Sequence, residues 1–375
     1  MKVVVAIDSL KGSLTSMEAG KAVEQGILRA RPQAQVVVKP LADGGEGTTD
    51  ALIEGLGGER IEVTVTGPYG KPVKAYYGWL KDDNTAVMEM AAAAGITLSA
   101  ERDPLRATSY GVGEMINDAM HRGIRNFIIG IGGSATNDGG IGMLKALGWK
   151  FLDAKGDDTG EGAWALGRVA AIALPDTQIR TLLKACSFKI ACDVTNPLCG
   201  PMGATYIYGP QKGVTEEMKE ALDQDMSHYA DMSAQAIGAD YRDVPGTGAA
   251  GGLGFAFLGF LNATLTPGIE LILNAVRLEE ELAGADIAVT GEGRLDGQTA
   301  MGKAPVGVAR LAKRHGLKVV AFAGSVTRDA AACNEAGIDA FFPIIRGVTT
   351  LEEAMDPENA RRNMIEAVEQ VFRII

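Results

Sequence analysis

Lys2-Val3-Val4-Val5-Ala6-Ile7-Asp8-Ser9-Leu10-Lys11-Gly12-Ser13-Leu14-Thr15-Ser16-Met17-Glu18 opens the chain and decides its fold class. The unbroken apolar run at residues 3–7 has no in–out alternation, which marks a strand buried on both faces, as in a parallel sheet. Thr15 and Glu18 have capping-box spacing: each side chain can satisfy a backbone N–H of the other at a helix start. A helix is therefore predicted from there to about Ala30, stopped by Pro32, with a second strand at Gln35–Lys39. The loop Leu41–Gly47 and a helix over Thr48–Leu56 follow.

Beyond Arg60 the pattern changes. Glu62–Thr66 and Val73–Leu80 read as a hairpin around Gly67-Pro68-Tyr69-Gly70, with Thr85–Glu89 as a third strand. The α/β signal returns near the other end: strand Asp286–Thr290, helix Val306–His315, strands Lys318–Phe322 and Ala340–Ile344, and a last helix from Pro357 to about Phe372. The fold class is thus α/β. A Rossmann-like parallel-sheet domain is expected from both chain ends (1–60 plus 285–375), with an inserted mixed α/β domain (61–284). Small ligands are expected in an interdomain cleft. The competing division is two sequential domains split near residue 200.

Composition narrows the function. The net charge is −11, from 36 Lys+Arg against 47 Asp+Glu, which argues against nucleic acid as a partner. No run approaches the ~20 apolar residues of a membrane-spanning helix. No CxxC spacing or histidine cluster suggests a zinc or redox site among the 4 cysteines and 3 histidines. The expected location is the cytoplasm, and a homo-oligomer is left open. Glycine is abundant, 49 of 375 residues, against an average of ~7%, and it gathers in loops.

Five of those loops carry chemistry. Gly130–Gly140 lies between a strand-like Asn126–Ile129 and a helix Ile141–Leu147, where exposed N–H groups make an anion site. Gly132 and Gly133, with Ser134, Thr136 and Asn137 adding side-chain donors, are the candidates for phosphate, although a tight packing turn has the same composition. Asp43-Gly44-Gly45-Glu46-Gly47 follows the second strand and offers two carboxylates to Mg²⁺ or to hydroxyls, or to the helix dipole. Asp8-Ser9-Leu10-Lys11 follows the first strand, and Lys11 is a natural counter-charge for a substrate anion. Gly291–Gln298 reads as a βα loop with Glu292 and Asp296 as ligands and Arg294 and Lys303 as anion clamps; its alternating charges would also suit a surface loop. Asp193, at the tip of a strand-like Lys189–Cys192, is a candidate general base, or the head of an Asx-turn. Glycine-softened backbone, acids and a few cations, without histidine or cysteine chemistry, suit phosphoryl transfer to a small acceptor.

Six ordered motifs carry a resemblance. Asp8-Ser9-x-Lys11-Gly12-Ser13-Leu14, Ala42–Thr48, Gly132–Gly140, Cys192-Asp193-Val194-Thr195-Asn196-Pro197-Leu198, Gly209-Pro210-Gln211-Lys212-Gly213 and Thr290–Asp296 resemble the bacterial glycerate kinases across nearly the whole chain. Ile7 departs from the proline expected before Asp8. The resemblance implies ATP-dependent phosphorylation of D-glycerate, at the 2-hydroxyl in this branch, with MgATP and glycerate as the small-molecule partners. On that footing, Asp193 is the expected base and Asp296 the second choice. Lys11 or Arg294 meets the glycerate carboxylate, with Asp8, Ser9 and Asp43 also at the substrate. Asp43, Glu46 and Glu292 are expected at Mg²⁺, and Lys212 or Lys303 at the transferred phosphate. A 3-kinase regiochemistry, a kinase of another small hydroxy acid or polyol, and a non-catalytic nucleotide sensor are the alternatives.

Overall fold

The computed structural model describes residues 1–375 and divides into two compact units. The first unit comprises Met1–Asp43, Asp50–Gly57 and Ile269–Ile375; the second comprises Gly44–Thr49 and Gly58–Gly268. The last crossing between them falls at residues 268–269, earlier than the 285 expected. Ile269 belongs to the first unit because it packs onto Gly307, where an added Cβ would lie 2.4 Å from its Cγ1.

Lys2–Ile7 lies inside a five-stranded, fully parallel sheet of the first unit. Across that sheet the strands are Ala340–Pro343, Lys318–Val326, Ile287–Leu295, Lys2–Ile7 and Gln35–Pro40. Counted within this unit the order is 2-1-3-4-5, so the doubly wound sheet has flavodoxin-like topology. The capping box forms as predicted: Thr15 N–H donates to Glu18 Oε2 (2.8 Å) and Glu18 N–H to Thr15 Oγ1 (3.2 Å), starting the helix Ser16–Ala30. Val3, Val5 and Ile7 pack on Ala19, Val23 and Ile27 of this helix and on Met364, Val368 and Phe372 of Pro357–Ile374. The opposite sheet face is covered by Ala304–Arg314. Full burial of each such aliphatic side chain stabilises by about 1.5–3 kcal/mol, so a strand with no polar face is what this environment demands.

One expected loop is strand. Ile287–Leu295 continues four residues past Gly291 because Lys318–Val326 is equally long and supplies partners: Glu292 pairs with Ala323, Arg294 with Ser325 and Leu295 with Val326. Gly291 permits the close approach; a Cβ there would meet the Phe322 carbonyl oxygen at 1.8 Å.

The second unit holds a six-stranded mixed sheet, in the order Thr264–Thr266, Ser187–Ala191, Asn126–Gly130, Thr85–Glu89, Pro72–Leu80, Glu59–Thr66. The last two form the predicted antiparallel hairpin, closed by Gly67 N–H to the Lys71 carbonyl at 2.7 Å. The first four strands are mutually parallel, so the loops after Glu89, Gly130 and Ala191 leave from one edge. No helix is long and apolar enough to cross a membrane.

Candidate active site

In a doubly wound sheet, ligands bind outside the carboxyl ends of the strands where strand order reverses. Here the reversal lies between Lys2–Ile7 and Ile287–Leu295, and a cavity of about 450 Å³ opens there. The first strand delivers Asp8, Ser9 and Lys11, the second Asp43, and Ile287–Leu295 delivers Glu292 and Arg294; Asp296 and Lys303 follow. Glu292 and Arg294 stand two residues apart on a strand, which puts both side chains on one face. All eight of these predicted site residues line the one cavity.

Their electrostatics are unbalanced. Asp8 is only 9% exposed. Burial first, and then the neighbouring Asp43 charge, push its carboxyl up to about 7, against the Ser9 N–H that donates to its Oδ1 at 2.7 Å. Glu292 is also raised, chiefly by burial, although Thr299 Oγ1 donates to it at 2.6 Å and Lys303 opposes the rise. Asp296 is differently employed. Its carboxylate caps the helix Gly297–Ala300, accepting from the N–H groups of Gln298 (2.9 Å) and Thr299 (3.2 Å), and it pairs with Arg294 at 3.7 Å and Lys303 at 3.9 Å. A carboxylate so engaged orients the loop and has little freedom left as a base.

The proposed cation ligands do not assemble as expected. Asp43 and Glu292 share the cavity, whereas Glu46 is an exposed residue of the second unit. No group of three or more His, Cys, Asp or Glu side chains is arranged to hold a metal ion. Mg²⁺ that arrives with phosphates needs only one or two carboxylates, and Asp43 with Glu292 meets that lesser demand.

The glycine loop of the second unit departs most from expectation. Only Gly132 and Gly133 are exposed; Ser134 is 6% exposed and Thr136, Asn137 and Asp138 are fully buried. Lys212, 1% exposed, donates to Ser134 Oγ at 2.7 Å and to the Thr136 carbonyl at 2.6 Å. Burial pulls its ammonium down to about 7, while Asp138 acts in the opposite sense. Asn137 Nδ2 donates to Thr205 Oγ1 at 3.1 Å. Asp138 accepts from Ser109 N–H and Oγ, both 2.8 Å, from Gly140 N–H at 3.1 Å and from Gly142 N–H at 3.3 Å. Ser134, Asn137 and Asp138 turn inward and fasten the loop, and Lys212 is buried against it, whereas Thr136 Oγ1 and Asn137 Oδ1 are buried without a hydrogen-bond partner. Asp193 stays exposed just past Ser187–Ala191 and accepts from Gly268 N–H at 2.9 Å.

Residues 3–375 match the model of the glycerate kinase family. The chain belongs to the glycerate kinase family. Among its relatives, glycerate kinase of Bacillus subtilis is 48% identical over 358 residues, spanning 95% of this chain and 93% of that one. Glycerate 2-kinase of Escherichia coli is 47% identical over 356 residues, spanning 94% and 93%. A crystal structure from Salmonella typhimurium, provisionally named glycerate kinase 2, superposes with a TM-score of 0.91 at 45% identity, covering all of this chain and 98% of that one. This member of the family therefore shares both its sequence and its architecture with them.

Sequence reasoning passed over the residues that support the site. Thr299 steadies Glu292, and its spacing from Asp296 gave a usable capping signal. Glu89 accepts from Thr49 N–H at 2.9 Å and Gly47 N–H at 3.3 Å; nothing local announces a partner some forty positions away.

Proposed function

We propose that this chain transfers the γ-phosphoryl group of ATP to the 2-hydroxyl of D-glycerate, giving 2-phosphoglycerate and ADP. The observation that carries the reading is the cavity at the switch point of the first unit, where Asp8, Asp43 and Glu292 meet Lys11, Arg294 and Lys303 in a chain of the glycerate kinase family. The 47% identity to a relative named glycerate 2-kinase supports the regiochemistry.

Glycerate presents hydroxyls and one carboxylate, and the cavity matches both. Asp8 and Asp43 accept hydrogen bonds from its hydroxyls, and Lys11 or Arg294 pairs with its carboxylate. In the transfer, the substrate oxygen bonds to the γ-phosphorus as the bond from that phosphorus to the β,γ-bridging oxygen breaks. The hydroxyl proton passes to a carboxylate; Asp8 is the one that burial holds nearest to neutrality. Lys303 offsets charge on the phosphates. Asp43 and Glu292 supply the hard oxygen donors Mg²⁺ takes, and the ion would neutralise charge on the phosphoryl group.

ADP formation from MgATP and D-glycerate, with NMR of the product, tests this. Release of 3-phosphoglycerate would reverse the regiochemistry, and turnover only with another hydroxy acid or polyol would replace the acceptor. An Asp193→Asn variant with near-normal turnover removes that residue from the catalytic role its motif suggests.

A further inference from the structure

The switch-point cavity has a second wall that glycerate cannot use. Opposite in character to the acids and cations, it is made by Leu10, Ile344, Ile345, Leu351, Ala354 and Met355. Leu10 and Ile344 are buried, but Leu351 is 79% and Met355 38% exposed. Large aliphatic side chains left in water at the edge of a pocket mark a surface that a ligand covers. The fold holds this wall in place: Met355 reaches over Gly12, where a Cβ would stand 2.7 Å from its Cε. Thr350 caps the short helix Leu351–Met355 with a capping box closed by Glu353.

Glycerate bears oxygen on each of its three carbons and has nothing apolar to offer these side chains. The cavity, at about 450 Å³, falls among pockets that enclose drug-sized molecules, roughly 300–1,000 Å³. Its occupant must combine an apolar part with an anionic part that Lys303, and whichever of Lys11 and Arg294 does not hold the glycerate carboxylate, can meet. A nucleoside triphosphate is such a molecule, and methionine and leucine faces suit a planar ring.

We propose that Leu351, Met355 and Ile345 form the nucleobase subsite, so that the first unit by itself binds the nucleotide. The proposal rests on the kinase reading and names where its phosphoryl donor sits. Because the wall is aliphatic, stacking governs the affinity more than base-edge hydrogen bonds do, and the subsite should tolerate guanine in place of adenine.

The test is calorimetric titration of the full-length protein with the non-hydrolysable ATP analogue AMPPNP and Mg²⁺, beside steady-state kinetics with D-glycerate. A Leu351→Ser, Met355→Ser double variant should weaken AMPPNP binding at least tenfold and leave the KM for glycerate within twofold. Val348→Ser, an exposed position outside the cavity lining, controls for the segment and should change neither. Unaltered AMPPNP affinity in the double variant overturns the subsite even if glycerate is phosphorylated normally, and so does a rise confined to the glycerate KM. Wild-type protein that fails to bind AMPPNP overturns it as well. Nucleotide binding that the double variant weakens, without turnover of glycerate, sustains the subsite and defeats the choice of acceptor.

Discussion

Asp8 in the first unit and Asp138 in the second are both buried carboxylates, 9% and 0% exposed, yet their surroundings differ in kind. Asp138 receives four hydrogen bonds from Ser109, Gly140 and Gly142. Asp8 receives one from its own neighbour, Ser9, and faces Asp43 and Glu292 across a cavity. The lysines differ in placement: Lys212 is buried against Ser134 and the Thr136 carbonyl, while Lys303 lines the cavity, 39% exposed and 3.9 Å from Asp296. A buried carboxylate whose hydrogen bonds are complete, as at Asp138, is architecture. One left short of partners beside a cavity is waiting for a ligand.

The largest expected effect falls on the architectural side. Asp138→Ala strips four donors of their acceptor and should destabilise the protein by about 3–5 kcal/mol, read from urea unfolding. Asp8→Asn should do the reverse, adding about 2 kcal/mol of stability at pH 8 while abolishing most turnover. The pH dependence follows from the raised carboxyl. Between about pH 4, where the unfolded chain loses this proton, and about pH 7, where the folded protein does, the unfolded state binds fewer protons, so wild-type stability falls as pH rises. The gap between Asp8→Asn and wild type should therefore widen across that window and stay constant above it. A gap that does not vary with pH would mean that burial does not raise the Asp8 carboxyl in the folded protein.

Smaller effects sharpen the same comparison. Ala250 sits at φ +53°, leading Gly251 (+67°) and Gly252 (+92°) through a left-handed turn that braces the glycine loop, with the Gly251 carbonyl accepting from Gly139 N–H at 2.9 Å. Strain relief outweighs added chain entropy there, so Ala250→Gly should stabilise by about 0.5 kcal/mol without changing kcat. Thermal unfolding beside an activity assay checks both halves. On the first unit, Thr15→Ala removes one half of a capping box at a cost of about 1 kcal/mol, again without effect on turnover.

Local signals carried most of the fold. The capping box at Thr15 and Glu18, the unbroken runs at Lys2–Ile7 and Lys318–Phe322, and the hairpin turn at Gly67–Gly70 each declare an element within a few residues, and the family resemblance tied them together. The extension of Ile287–Leu295 was hidden because Gly-Glu-Gly-Arg has no strand propensity of its own; it is extended because Ala323 and Ser325 lie alongside. The glycine loop misled for a related reason. Ser134 looks alike whether it faces a phosphate or a buried ammonium, and that ammonium, on Lys212, lies 78 positions away. The cavity residues were legible because strand ends fix their location before any long-range contact is known.

The most direct test compares turnover in Asp8→Asn and Ser134→Ala, assayed as ADP formation from MgATP and D-glycerate at temperatures where both are folded. Asp8→Asn should lose at least ~100-fold in kcat/KM while unfolding at a temperature no lower than wild type. Ser134→Ala, which deprives Lys212 of a partner, should lose about 1–2 kcal/mol of stability and keep kcat within roughly fivefold. Near-normal turnover in Asp8→Asn together with loss of activity in a stable Ser134→Ala would move the chemistry from the switch-point cavity to the glycine loop and contradict the account.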